Sequence, residues 1–188
     1  MASSIESFGV VGYLFYAFIA FGMLFWLSSL RGVIFGPIGS KPVDRRFYLL
    51  FFVATTGWLG TFVAFLGEAT SESGNVPSHL FLTCWAILAV GIGLVFSLRW
   101  EMLNAHMRYE AEHGFPLWRP LAKLQWAIWE RQQAATIKGF PRLVGGLFAL
   151  IGTCILGYVL LNHETTFPAL AREWAGSFTA VRTLIGLS

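Results

Sequence analysis

Three side chains able to hold a metal ion fall at helical spacing in the middle of the chain: His106, Glu110 and His113, at i, i+4 and i+7. On a helix that spacing puts them along one face, where two imidazoles and a carboxylate can meet a divalent cation. One helix supplies only three ligands, however, so the competing reading is a polar helix face just outside an apolar segment. Two more histidines, His79 and His163, stand at the ends of apolar runs. If those runs are neighbouring helices, the pair can ligate a haem iron axially, as in an electron-transfer subunit; a boundary histidine also serves simply to solvate a helix end. Cys84 and Cys154 both lie inside apolar runs, where cysteine acts as a small buried hydrophobe and not as half of a disulfide. No Gly-rich phosphate loop, nucleophile elbow or HExxH pattern occurs. The expectation is a chain that is not an enzyme and has no assigned cofactor.

The segments that must carry these residues are hydrophobic to an unusual degree. The chain is 56% hydrophobic and 12% charged, against about 25% charged in a typical globular domain. Four uncharged apolar stretches, Phe8–Leu30, Phe47–Gly67, Leu80–Leu98 and Leu143–Leu161, are each long enough to cross about 30 Å of hydrocarbon at about 1.5 Å per residue. Their apolar residues run continuously instead of alternating, which excludes barrel strands. The segment Met1–Ser7 has no basic residue and no cleavage-site pattern follows the first run, so that run is expected to be retained. The expected fold is all-α: one polytopic membrane domain with four transmembrane helices.

Charge sets the expected orientation. Eleven of the thirteen Lys and Arg residues lie in two segments: Arg31–Arg46, and the stretch between spans three and four, residues 99–142. The short loop 68–79 has none, and the tail only Arg172 and Arg182. Positive-inside reasoning therefore puts both basic segments in the cytoplasm and both termini outside, in a bacterial-type inner membrane. Basic loops beside an anionic lipid surface need no nucleic acid to explain them.

Outside the spans, the third helix is expected to run on through Trp100 and Met107 to a stop at Gly114. A second cytoplasmic helix follows from near Pro120. Its wheel gathers Leu117, Trp118, Leu121, Leu124, Ile128 and Trp129 opposite Arg119, Lys123 and Lys138. This amphipathic helix rests either on inner-leaflet lipid or on a protein partner. The tail, 168–186, repeats the device: Pro168 opens a helix with Leu170, Trp174, Phe178, Val181 and Ile185 on one face, suited to the opposite interface or a partner's groove.

Helices in lipid associate where small residues let backbones approach. Such residues recur every fourth position in three spans: Thr56, Gly60 and Ala64; Ala89, Gly93 and Ser97; Gly145, Ala149, Thr153 and Gly157. Span one is dense in Phe and Tyr instead, so spans two to four should form the tight bundle. No Asp, Glu, Lys or Arg lies in any span core, which disfavours pumping and proton relay by this chain alone. The expected role is a non-catalytic accessory or scaffold subunit of a larger membrane complex. A self-assembling membrane effector or pore of the stress or phage-defence type is the alternative. Reporter fusions after Ser40 and at Ala134 should read cytoplasm, and fusions at Ser73 and Ser188 the opposite side. A cytoplasmic signal at Ser73 would overturn the charge argument.

Overall fold

The computed structural model describes residues 9–184 except 38, 40, 71–77, 115, 117, 136 and 138. Phe8, Leu117, Lys138 and Ile185, singled out above, therefore lie outside the described residues. Seven helices and no strand occur among the described residues: α1 (Gly9–Phe35), α2 (Arg45–Thr70), α3 (Ser78–Leu98), α4 (Trp100–His113), α5 (Arg119–Ala135), α6 (Phe140–Leu161) and α7 (His163–Leu184). Three are long and apolar enough to cross a membrane, over Arg45–Ala64, His79–Leu98 and Phe140–Leu161. The described apolar part of α1, Ile19–Phe35, is shorter.

Local signals explain the helix ends. Gly36 adopts φ +81° and donates its N–H to the Gly32 carbonyl, a left-handed stop that L side chains resist. The Asp44 carboxylate accepts the Phe47 N–H at 2.7 Å and so caps α2. Gly139, at φ +91°, precedes α6, whose first turn holds Pro141.

The long helices stand in an open row, α1–α2–α3–α6, with the closest packing at the two junctions of α3. Its faces dictate this. Cys84, Leu88 and Gly91 meet Gly57, Gly60 and Ala54 of α2. Ala86, Val90, Gly93 and Ser97 meet Gly152, Ala149 and Gly145 of α6. At 100° per residue these two seams lie roughly 160° apart on α3, so its neighbours sit on opposite sides and the bundle does not close. Backbones nearly touch: a Cβ on Gly93 would lie 2.5 Å from the Ala149 nitrogen and the Gly145 oxygen. On its far side α2 receives α1 by another device. The rings of Trp58 and Tyr48 fill the notches left by Gly22 and Gly32, and Trp26 Nε1 donates to Thr56 Oγ1 at 2.9 Å.

The seams correct the expected stripes. Gly60, Ala64, Gly93, Gly145 and Ala149 are packed against helices, and Ala89 is buried. Thr56 faces α1, Thr153 is exposed, and, the adjacent backbone of its own helix aside, nothing among the described residues lies within 4 Å of a Cβ on Gly157. A strict four-residue repeat drifts about 40° per step around a helix, whereas alternating steps of three and four follow a nearly straight seam. The seam on α6 accordingly passes through Gly145, Ala149, Gly152 and Val159.

At the end of the row opposite the basic loops, α6 turns at the single residue Asn162 into α7. Thr166 Oγ1 donates to the Val159 and Asn162 carbonyls and fixes this start. Pro168 therefore lies inside α7 instead of opening it. The helix reaches over α2 and α3, where Leu170 joins Ala64, Leu80 and Cys84. The face turned inward is Thr166, Leu170, Glu173 and Ser177, while Trp174 and Phe178 are exposed, so the expected apolar face is split. The cause is polar: Glu173 accepts the Leu80 N–H at 2.6 Å, capping the free N–H groups of α3 from another helix.

Gly93→Leu and Gly57→Leu should each lower the melting temperature in detergent, since overpacking costs about 1–3 kcal/mol. Gly157→Leu should melt like wild type. Equal melting of all three would remove the seam assignment.

Candidate functional site at the basic end

The α4–α5 hairpin occupies the basic end of the row. Between α3 and α4 the helix breaks at Arg99 (φ −125°, ψ 22°), where one continuous helix was expected. The break turns α4 aside beneath α2, and two ion pairs tie it to the α1–α2 loop. Lys41 Nζ meets Glu110 Oε1 at 2.6 Å with both side chains about three-quarters buried, and Arg99 lies 3.6 Å from Asp44. Gly114 ends α4, its N–H on the Glu110 carbonyl at 2.9 Å, and Arg119 Nε closes the turn by donating to the Gly114 oxygen.

Both ends of α5 are anchored by aromatic rings. At its start, the Trp118 ring lies 5.0 Å from Phe21 and 6.4 Å from Phe25 of α1. Towards its end, Trp129 packs 5.3 Å from Trp100 and 6.0 Å from Phe96 at the foot of α3. Asn104 Oδ1 accepts both the Trp129 indole N–H at 2.9 Å and the Gln133 amide at 2.7 Å. The hairpin therefore reaches from the α1 edge of the row to its α6 edge. Its length fits: 17 residues at about 1.5 Å each give roughly 25 Å, and three helix-to-helix steps of about 8–10 Å give the same width.

The amphipathic face expected on α5 divides in two. Trp129, with Ala122 and Gln133 beside it on the wheel, is turned to α4, because its indole finds a buried acceptor there. Leu121, Leu124 and Ile128 are 51%, 58% and 50% exposed. Arg119 is half-buried at the turn, and Lys123 is exposed. Between Trp100 and Phe96, the Trp129 end of α5, and Phe140, Pro141 and Val144 of α6, an open cavity of about 220 Å³ remains. Its walls are mainly aromatic and aliphatic, edged by Gln132 and Gln133. Such a lining suits an apolar guest and offers no nucleophile.

The candidate metal residues are drawn apart by other partners. Glu110 is engaged by Lys41, His113 stacks on Tyr109 at 4.9 Å, and the His106 ring lies against Phe47 at 5.7 Å. Among the described residues, no three His, Cys, Asp or Glu side chains gather at metal-binding distance. His79 and His163 are not brought together either. His79 Nδ1 lies 3.0 Å from Glu173 Oε1, whereas His163 begins the same helix ten residues earlier, beside the Leu160 carbonyl. Ten residues of helix place His163 roughly 15 Å along α7 from the residue that His79 contacts. Lys41, Asn104, Glu173 and Gln133, which organise both ends of the molecule, have no motif; their partners lie 25 to 94 residues away.

His106 is the exceptional group here. Its Nδ1 is buried with no hydrogen-bond partner among the described residues. Burial pushes its pKa below the usual histidine range, Glu110 opposing and nearby Lys41 assisting. A histidine held neutral by folding loses stability relative to the unfolded chain as pH falls, because the unfolded form takes the proton first.

No family model, curated protein or solved structure compared with the chain matches it.

Hairpin docking should thus be strongest above the ordinary histidine pKa of about 6.5 and weaken as the pH falls below it. His106→Phe should flatten that dependence. Hydrogen exchange of α4 amides between pH 7.5 and 5.5 is the measurement; equal slopes for both proteins would remove His106 from the docking.

Proposed function

We propose that the chain is a non-catalytic scaffold subunit of a larger membrane assembly. In this reading α1 is a fourth span, and the basic end faces the cytoplasm of a bacterial-type inner membrane. Its 27 helical residues exceed the roughly 20 needed to cross, and no charged residue falls between Gly9 and Leu30. The concentration of Lys and Arg at the hairpin end supports the orientation.

The observation that carries the scaffold reading is the open row. The membrane-length window of α6 is 17% buried, against 39% for those of α2 and α3. Beside the used seam, α6 presents Gly146, Thr153 and Gly157, and no other helix among the described residues comes within 4 Å of a Cβ on either glycine. A second helix can approach closely there, as the first does at Gly145. Without charged groups in the spans, the lateral surface is what the membrane part offers.

The same row favours a second reading, a homo-oligomeric effector. Its two edges, α1 and α6, differ, and unlike edges joined head to tail close a ring. Purification from mild detergent separates the two. Wild type should bring down other polypeptides in fixed ratio, and Gly146→Leu with Gly157→Leu should release them while melting normally. A ring of this polypeptide alone would favour the second reading, and an isolated monomer would overturn both.

A further inference from the structure

The exposed apolar face of α5 adjoins an apolar helix of the row at each of its ends. At the start, Trp118 is seated on Phe21 and Phe25 of the apolar helix α1. Past the end, Ile137 (81%), Phe140 and Leu143 are exposed, as are Leu147 and Leu150 on the open flank of α6. Between these points run Leu121, Leu124 and Ile128. By the helix wheel, these three centre roughly 130° from the packed arc of Trp129, Ala122 and Gln133. Lys123 and Glu130, both exposed, lie on a third arc, about 140° from the leucine stripe.

A helix with one arc packed, one apolar and one charged has two solvents. We infer that α5 lies in the membrane plane within the leaflet at the basic end, with Leu121, Leu124 and Ile128 against lipid acyl chains and Lys123 and Glu130 in water. A surface that joins the flank of α6 at one end and rests on α1 at the other lies at the depth that acyl chains reach. Arg131, between the apolar and charged arcs, can extend its head to the phosphates. A second copy or another protein over this stripe would also have to cover the adjoining feet of α6 and α1. The leaflet covers all three at once. The cavity between α5 and α6 then opens towards the same acyl chains. The inference rests on the reading of α6 as a membrane span, and the experiment tests that separately.

Single cysteines at Leu124, Ile128, Lys123, Glu130 and Leu147, in a chain carrying Cys84→Ala and Cys154→Ala, are labelled with bimane. Each labelled protein is reconstituted alone in phosphatidylethanolamine–phosphatidylglycerol vesicles. Lipid bearing a nitroxide on its acyl chain should remove most of the fluorescence at Leu124→Cys and Ile128→Cys, while iodide has little effect. The order should reverse at Lys123→Cys and Glu130→Cys. Iodide quenching at Leu124→Cys equal to that at Lys123→Cys would place the stripe in water. Protection from both quenchers would mean that another copy covers it. Either result overturns the inference while Leu147→Cys remains lipid-quenched; loss of lipid quenching at Leu147→Cys as well would overturn the spanning reading beneath it.

Discussion

Backbone-to-backbone contact on two opposite faces of α3 is the constraint from which the rest of the structure follows. Helices surrounded by lipid gain little from burying apolar side chains against one another, so close packing of main chains must supply the association. Gly91 and Gly57 provide it on one side of α3, and Gly93, Gly145 and Gly152 on the other. Because the two seams are opposed, α3 becomes the middle of a row and not one corner of a closed bundle. An open row has two flanks and two uncovered ends, and every other element answers to one of these.

The ends are closed by charge. Glu173 reaches from α7 to cap the first turn of α3, and Lys41 reaches from the α1–α2 loop to Glu110 on α4. A largely buried ion pair such as Lys41–Glu110 gains little over its separate hydration, yet removing one partner leaves a poorly solvated charge behind. Such pairs fix position more than they add stability. The aromatic contacts work alongside them. Phe47 stacks on Phe51 at 6.0 Å and touches His106, while Phe25 links Phe51 to Trp118. Rings thus join α1, α2 and the hairpin where ion pairs alone would leave the geometry loose. The His106 ring, its Nδ1 buried without a hydrogen-bond partner among the described residues, lies against Phe47 within this arrangement.

The sequence by itself determined most of the helices, though neither the break at Arg99 nor the start of α7 at His163. Continuous uncharged runs bounded by charge read as helices, Gly114 and Gly139 mark helix ends, and Pro120 stands in the first turn of α5 as expected. Small residues marked α2, α3 and α6 as close packers. Tertiary structure decided which small residues are used. A repeat of four and a seam of alternating three and four share Gly60, Gly93, Gly145 and Ala149 but diverge at Thr56, Thr153 and Gly157. Only the crossing of two real helices chooses between them. It also decided the fate of each candidate ligand. His106, Glu110 and His113 share a spacing, but a spacing does not reveal that Phe47, Lys41 and Tyr109 each engage one of them. The single amphipathic face read on α5 became two for the same reason. Hydropathy treats Trp129 and Leu124 alike, whereas the Trp129 indole N–H must find an acceptor, and Asn104, 25 residues away in the chain, supplies it.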